Sequence, residues 1–272
     1  DLKCIDSQEF PPMPVPDLDE GVKMDVNTLK EMIHQVAFSA STDEARPILT
    51  GVYMKIEGNQ ITMAAADGFR LSVRTAELDA PVAQPITAVI PARALNELAR
   101  ISSDGKDIVT MVLPPRSGRV IFRTKDAELA SQLIEGTFPD YQQIIPRSHQ
   151  TRTVLATSSF LKACKQAEIF AREGSLIARV NINPGEEELT PGTVEISGQS
   201  EETGSNQTVV DASIEGPPIL IAFNVRFLRE ALDVIKTPNM ALETTADTSP
   251  GMIRPVGDSN FVHVIMPMHL GS

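Results

Sequence analysis

A step from an apolar residue into proline recurs at a constant interval along this chain. Phe10-Pro11, Phe138-Pro139 and Met266-Pro267 begin at positions that differ by 128 residues in both cases. A repeat of that length matches an ordinary domain and is long enough to enclose its own core. The 272 residues are therefore expected to form two similar domains.

Each repeat contains two amphipathic stretches whose apolar residues recur at helical spacing. The second pair of stretches follows the first at offsets of 132 and 133 residues. Ser158 or Ser159 is predicted to cap the third helix and Asn224 the fourth, since short polar side chains favour that position. The four helices are predicted over 26–38, 91–102, 157–172 and 223–236.

Between these helices the hydrophobic pattern alternates with period two and is interrupted by turn residues, which is typical of antiparallel hairpins. Each repeat thus runs helix, strands, helix, strands. The predicted fold class is α+β, with antiparallel sheets and the helices on one face. The predicted hairpins occupy 51–68, 107–126, 177–200 and 240–267.

Composition excludes several classes of function. Cys4 and Cys164 are far apart, and the four histidines have no metal-ligand spacing, so neither a metal site nor a cofactor is predicted. The cysteines are interpreted as ordinary thiols in a reducing cytoplasm. No apolar run approaches the length of about 18 residues that a membrane span needs.

The net charge of −12 argues against a surface that coats nucleic acid, but the charge is unevenly distributed. The four predicted helices hold nine basic and five acidic residues, a net charge of +4, and so could form one mildly basic face on an acidic body. The alternative is that lysine and arginine are simply good helix formers on solvated faces.

Four segments in order identify a family resemblance. They are AAADGFRLSV at 64–73, EGTFPDYQQIIP at 135–146, IAFNVRFLREAL at 221–232 and VIMPMHL at 264–270. Together they resemble the bacterial DNA polymerase III β subunit, the replicative sliding clamp. The resemblance implies a DNA-clamp fold, with sheets outside and two helices per domain on the inner face. Two three-domain chains of that family close head to tail into a ring around duplex DNA.

The resemblance also implies domain boundaries. Residues 1–20 would be the last strand of a first clamp domain and a linker, 21–147 the middle domain and 148–270 the C-terminal domain, while Gly271-Ser272 resembles an added tail. These residues alone would then be a monomer or a weak dimer that does not form a ring.

The family binds short peptides between its middle and C-terminal domains, with Gln and Leu-Phe-type residues. The clamp loader and the replicative and repair polymerases are the implied partners, and no membrane is involved. Phe138 and Tyr141 are expected to fix the junction, and Asp140 to cap locally. By motif, the implied pocket residues are Arg46, Leu49, Ala66, Gly68, Phe69, Arg70, Leu71, Pro139, Gln143, Ile144, Asn224, Phe227, Val264, Ile265, Met266, Pro267, Met268 and Leu270.

DNA contact in such a protein is expected to be non-specific, because sliding requires that no base is read. Arg70, which is among the implied pocket residues, could instead serve only as a structural salt-bridge partner. The positions expected to face DNA are Lys30, Arg93, Arg100, Lys162, Lys165 and Arg226.

Three departures from the family pattern lie near the implied pocket. His269 replaces a common arginine, Gln142-Gln143 replaces a basic pair, and Phe69 stands where His or Tyr is frequent.

Two other functions remain open at this point. An enzyme is disfavoured because Asp67, Asp126 and Asp140 lie at turns without a nucleophile or a paired carboxylate. A diverged clamp paralogue that binds protein or an inhibitor without tracking DNA is the stronger alternative.

Overall fold

The computed structural model describes residues 4, 6, 21–103, 105, 107–172, 175–185 and 190–269. The predicted strand and linker over 1–20 lie outside the described residues apart from Cys4 and Asp6, and so do Leu270 and the pair 271–272. The expectations placed on those residues stay predictions.

The described residues form a single pattern repeated four times: one strand, one helix and three further strands. This confirms the predicted alternation of helices with groups of strands. The helices are α1 (Val26–Val36), α2 (Ala92–Ile101), α3 (Thr157–Ala171) and α4 (Val225–Asp233). The strands are β1 (Val22–Asp25), β2 (Gly51–Glu57), β3 (Gln60–Ala66), β4 (Arg70–Glu77), β5 (Ile86–Pro91), β6 (Ile108–Val112), β7 (Arg119–Arg123), β8 (Glu128–Gln132), β9 (Thr151–Ala156), β10 (Ile177–Asn183), β11 (Gly192–Ser200), β12 (Gly204–Glu215), β13 (Ile219–Asn224), β14 (Asn239–Thr244), β15 (Gly251–Pro255) and β16 (Phe261–Ile265).

Every pair of neighbouring strands is antiparallel. A four-stranded sheet has the order β1-β6-β7-β8, and a twelve-stranded sheet has the order β13-β10-β11-β12-β9-β14-β15-β16-β4-β3-β2-β5. The long sheet crosses from one repeat to the other where β4 pairs with β16, with Leu71 opposite Val264 and Ser72 opposite His263. The two domains are therefore joined by a continuous backbone ladder.

Each domain has its own aliphatic core between helices and sheet. Leu29, Ile33, Leu95 and Leu98, all on the predicted apolar helix faces, are buried in the first of these cores. Phe160, Leu228 and their neighbours fill the second. Two separate cores are the physical result of the repeat in the sequence.

The helices of both domains lie on the same face of the joined sheet. α1 packs on α2 and on β4, while α4 packs on α3 and on β16, the strand next to β4. α1 and the end of α4 also touch directly, because Gln35 Nε2 donates to the Val234 carbonyl at 3.3 Å and Lys236 Nζ lies 3.5 Å from Glu31 Oε2. The four helices thus form one contiguous surface.

One predicted helix cap is confirmed and one is wrong. Asn224 caps α4, since its side chain accepts a hydrogen bond from Arg226 N at 3.0 Å. α3 begins at Thr157 directly after β9, with Ala156 at the cap position and no side-chain cap, so neither Ser158 nor Ser159 has that role. The reason is tertiary: Thr157 N and Oγ1 donate to the carbonyls of Pro238 and Thr237, which fixes the start of the helix earlier.

Candidate peptide-binding cleft at the domain junction

The segment that connects the two domains crosses the outer face of the joined sheet, opposite the helices. Ile134 N donates to the Val89 carbonyl at 2.8 Å, and Phe138 stacks on Tyr53 with ring centroids 5.4 Å apart. The ring of Tyr141 also packs against Tyr53, with ring centroids 5.9 Å apart. Asp140 caps the next turn, accepting from Gln142 N at 3.2 Å and from Gln143 Nε2 at 2.8 Å. The predicted roles of Phe138, Asp140 and Tyr141 agree with this geometry.

Between this connecting segment and the β14–β15 turn lies an open cleft of about 770 Å³. Its floor lies on adjacent strands of the junction, where Ala66, Leu71 and Val264 present buried apolar side chains. The connecting segment supplies one wall, including the partly exposed Ile144. The full lining is Ala66, Gly68, Arg70, Leu71, Gln143, Ile144, Ile145, Pro146, Arg147, Ser148, Thr245, Ser249, Pro250, Val264 and Met266.

The turn between β3 and β4 closes one end of the cleft. Asp67 Oδ1 accepts from the backbone N–H groups of Phe69 and Arg70 at 2.9 and 3.0 Å, and Gly68 adopts a φ of 95°, which favours glycine. The Phe69 carbonyl accepts from Met266 N at 2.8 Å. The Asp-Gly motif therefore positions the segment that follows β16 beside the cleft.

Arg70 connects the cleft to the helices of both domains. Its guanidinium donates to Asp67 Oδ2 at 3.0 Å, to the Phe38 carbonyl at 2.8 Å and to Glu230 on α4. It also lies 4.2 Å from the ring centroid of Phe227, a cation–π contact. Arg70 therefore both lines the cleft and serves as a structural salt-bridge partner, which combines the two roles left open by the sequence.

Glu230, one of the two acids bound by Arg70, is also bound by Arg226, whose Nε donates to Glu230 Oε1 at 3.0 Å. Burial alone would raise the pKa of Glu230, but the hydrogen bonds and charges of Arg70 and Arg226 outweigh it and lower that pKa. Glu230 therefore stays ionised and paired.

A buried polar chain lies on the helix side of the same strands. His263 Nδ1 and Ser72 Oγ are 2.7 Å apart, and Ser72 Oγ lies 2.8 Å from Ser39 Oγ. Burial, with a smaller contribution from the Arg70 charge, lowers the pKa of His263 to about 3. The imidazole is therefore neutral at physiological pH and takes part in packing across the junction.

The structure brings eight of the predicted pocket residues together in the cleft: Ala66, Gly68, Arg70, Leu71, Gln143, Ile144, Val264 and Met266. Arg46 lies beside them, since its Nη2 donates to the Asp67 carbonyl at 3.3 Å. Phe69 is 61% exposed at the turn, and Leu49 packs against the apolar cluster that includes the cleft floor.

The remaining predicted pocket residues lie elsewhere. Pro139 lines a separate cleft on the other side of the connecting segment, and Ile265 is buried in the C-terminal core. Asn224 and Phe227 lie on the helix side as a cap and as the cation–π partner of Arg70. The segment with Pro267 and Met268 runs beside β13, where Met268 N donates to the Ala222 carbonyl at 2.8 Å.

Sequence reasoning missed part of one cleft wall and all of the other. Ile145 and Pro146 are the last two residues of the connecting motif at 135–146, and Arg147 and Ser148 directly follow it, so they lie next to the predicted Gln143 and Ile144. Thr245, Ser249 and Pro250 are about a hundred residues away and carry no local signal. The pairing of β14 with β9 places them there.

The positions expected to face DNA lie on the shared helix surface, but several are paired with acids. Arg100 is 2.5 Å from Glu97, and Lys165 is 3.0 Å from Asp233. Lys30 Nζ donates to the Ser102 carbonyl at 3.2 Å, while Arg93 and Lys162 are exposed.

The charge of that helix surface is smaller than the predicted ranges indicated. The observed helices hold seven basic and five acidic residues, a net charge of +2 rather than +4. Arg172 and Lys236 account for the difference, because they lie just beyond the ends of α3 and α4.

No group of three or more His, Cys, Asp or Glu side chains that could hold a metal ion occurs among the described residues. No helix in the described part of the chain combines the length and the apolar character needed to cross a membrane.

Models of two consecutive domains of one family match the chain. Residues 23–140 match the central domain of the DNA polymerase III beta subunit, and residues 142–269 match its C-terminal domain. The beta sliding clamp of Bacillus subtilis is 32% identical over 269 residues, which are 98% of this chain and 69% of that protein. The beta sliding clamp of Synechococcus elongatus is 29% identical, covering 100% of this chain and 71% of the relative.

Solved structures of sliding clamps have the same fold as this chain. The crystal structure of the Bacillus subtilis DNA polymerase sliding clamp has a TM-score of 0.91, covering 98% of this chain and 69% of that one. A Pseudomonas aeruginosa sliding clamp bound to griselimycin has the same fold, with a TM-score of 0.87 at 22% identity, covering 97% of this chain and 69% of that one. With both domain models matched in order, the chain belongs to the DNA polymerase III beta subunit family, the bacterial beta sliding clamps.

Proposed function

We propose that this chain acts as a non-catalytic processivity factor, which holds DNA polymerase III and other replication and repair proteins on duplex DNA. The observation that carries the proposal is the apolar cleft at the β4–β16 junction, built from motif residues of both domains. The curated relatives are named sliding clamps, which favours this function over that of a paralogue without DNA tracking. Work on DNA would place the protein in the cytoplasm, with the nucleoid.

The cleft suits a short peptide that carries Gln and a Leu- or Phe-type ending. Leu71, Val264 and Ile144 offer apolar surface for such side chains, and Gln143 offers an amide at the wall. Met266 is 40% exposed and flexible enough to adapt to different partners, such as the clamp loader and several polymerases. We assign Arg46, Leu49 and Phe69 to the rim of this site.

The contiguous helix surface would face DNA. A net charge of only +2 attracts phosphate weakly, and no base would be read, so contact would be non-specific and sensitive to salt. The exposed Arg93 and Lys162 are the strongest candidates, because no ion pair joins either to an acid in the described structure. Retention on DNA would depend on a closed ring more than on affinity.

The ring would require pairing at free strand edges. One edge of β12 pairs with β11, and its other edge pairs with β9 only through Ala212–Glu215. Along the first eight residues of β12, the edge that faces away from β11 has no strand partner among the described residues. Val209 on this edge strand is 57% exposed and Ile169 on the adjoining α3 is 63% exposed. Unpaired edges with exposed apolar residues favour association, here in a head-to-tail homodimer of the whole protein.

The peptide site can be tested by anisotropy with a labelled peptide that contains Gln and ends in Leu-Phe. Micromolar affinity is expected, about −8 kcal/mol. Ile144→Asp places a charge on the exposed cleft wall and should weaken binding at least tenfold or so, because a desolvated carboxylate disfavours apolar anchors. Ile108→Asp is the matched control, since Ile108 is 55% exposed on β6 and away from the cleft. Equal losses in both variants, or none in Ile144→Asp, would refute the assignment.

A further inference from the structure

The outer face of the C-terminal sheet carries several basic side chains around one carboxylate. Glu243 Oε1 is 3.5 Å from Arg152 Nε, and its Oε2 is 3.7 Å from both Arg254 Nε and His149 Nδ1. Glu243 is only 11% exposed, while the other three are 31%, 36% and 38% exposed. Together with Arg147, which lines the cleft, the side chains of Arg152, Arg254 and His149 are called the basic group.

The basic group is short of acceptors. The three distances to Glu243 are ion-pair distances rather than hydrogen bonds. Arg254 Nε is buried without a hydrogen-bond partner among the described residues, and its Nη2 donates only to the Met252 sulfur at 3.4 Å. Arg70, by contrast, is bound by two carboxylates and a carbonyl. Glu243 therefore satisfies only part of the hydrogen-bonding capacity of the basic group.

The strand register makes the basic group continuous with the cleft. On the outer face, Val264 in the cleft floor lies opposite Met252, Met252 lies opposite Glu243, and Glu243 lies opposite Arg152. Adjacent strands are about 4.8 Å apart, so Glu243 is about 10 Å from Val264. A ligand in the cleft thus needs only two or three more residues to reach the basic group, at about 3.4 Å per extended residue.

We propose that the basic group extends the cleft and binds acidic side chains that flank the apolar anchors of a partner peptide. This rests on the proposed peptide-binding function and assigns it a determinant of specificity. Three arginines against one glutamate give a local positive charge on a chain whose net charge is −12, so an acidic flank is the complementary partner.

Two further acids lie near the basic group without filling it. Glu215 is opposite Arg152 in the β12–β9 pairing, and Asp247 lies in the turn after β14. In the described structure no ion pair joins either of them to the basic group.

The test measures anisotropy with synthetic peptides that share one anchor ending and differ in added residues. One set carries glutamates at either end of the anchor, and the other carries glutamines at the same places. For one of the two ends, the glutamate peptide should bind about tenfold more tightly, as two or three partly exposed ion pairs together supply. That ratio should fall toward one as salt is raised. Equal affinities at both ends in the unaltered chain would overturn the proposal.

Variants locate the effect. The double substitution Arg152→Gln with Arg254→Gln should bring the glutamate-to-glutamine ratio to about one and leave the affinity for the glutamine peptide unchanged. Arg119→Gln removes the same type of charge from an exposed position on β7 and should leave the ratio intact. If the double variant instead weakens binding to a short DNA duplex and keeps the glutamate preference, the basic group binds phosphate and the proposal is wrong. Failure of the anchor peptide itself to bind would overturn the proposed function rather than this extension.

Discussion

β4 and β12 hold the same place in their repeats, as the third strand after the first helix of each domain, yet their outer edges differ. β16 of the other domain pairs with the edge of β4 from Arg70 to Arg74, and the side-chain pairs Arg70–Glu230 and Arg74–Asp258 lie at the two ends of this ladder. The first eight residues of β12 have no strand on that side among the described residues. The first repeat thus has a paired outer edge at β4, and the second has an unpaired outer edge along most of β12.

The comparison shows how repeated domains of this kind can be joined through the edges of their sheets. Each domain also ends with the same contact: Ile134 N donates to Val89 and Met268 N donates to Ala222, both at 2.8 Å. A repeat that presents a free edge at one end and a strand such as β16 at the other can be joined indefinitely or closed into a ring. At the paired edge, the connecting segment adds one wall, so the junction creates a cleft that neither domain contains alone.

The largest expected effect tests the side-chain link at the paired edge. Arg70→Ala removes the guanidinium that donates to Asp67, to Glu230 and to the Phe38 carbonyl, and should cost about 3–5 kcal/mol of the free energy of unfolding. Urea unfolding measures this. Arg226→Ala is the control, because Arg226 is 58% exposed and shares only one oxygen of Glu230, so its cost should stay below about 1 kcal/mol. Similar losses in both variants would contradict a special role for the junction arginine.

A slightly smaller effect is expected from the connecting segment. Phe138→Ala removes a ring that is 8% exposed and stacked on Tyr53, and should cost about 3 kcal/mol. Because this loosens one wall of the cleft, peptide affinity should fall as well. Thermal unfolding together with peptide titration checks both; a large loss of stability with unchanged peptide affinity would show that the wall is positioned by other contacts.

The paired edge should also make stability depend on pH. The folded-state pKa of His263 is about 3, below its usual value of about 6.5, so the unfolded chain binds a proton that the folded chain does not. Stability should therefore fall with decreasing pH, by about 2 kcal/mol between pH 6.5 and 5. Glu230 and Asp258, whose folded-state pKa values are lowered, add their losses only below their ordinary values near pH 4.

Urea unfolding at several pH values in this window tests the assignment. His263→Gln should be less stable overall but should lose most of the slope. A variant at His34, an exposed helix position, should keep it. An unchanged slope in His263→Gln would assign the dependence to another group.

The smallest effect on stability is expected at the free edge. Val209→Lys should change the free energy of unfolding by no more than about 0.5 kcal/mol, because Val209 is 57% exposed. The same substitution should weaken self-association of the whole protein, since it places a charge on an apolar edge strand. Chemical denaturation and sedimentation measure the two effects. A loss above 1 kcal/mol or so in the isolated chain would mean that this edge is covered by another part of it.

Local patterns in the sequence determined the four helices and the predicted hairpins, but not strands such as β4, β9 and β12, which lie outside those hairpins. Helical spacing at Leu29, Ile33, Leu95 and Leu98 placed the buried faces of the first two helices, and the Gly58-Asn59 turn defined the β2–β3 hairpin. The proline interval of 128 residues correctly indicated two cores. These features depend on residues close together in the chain, for which period and turn chemistry are sufficient.

Tertiary structure decided the features that depend on distant residues. The β4–β16 ladder placed Leu71 beside Val264 and Arg70 within reach of Glu230, and the β14–β9 pairing brought Thr245 and Pro250 to the cleft opposite Ile145. The same register set Glu243 among Arg152, Arg254 and His149. No periodicity encodes such contacts, because the energy that selects them comes from hydrogen bonds and burial between strands that are far apart in the chain.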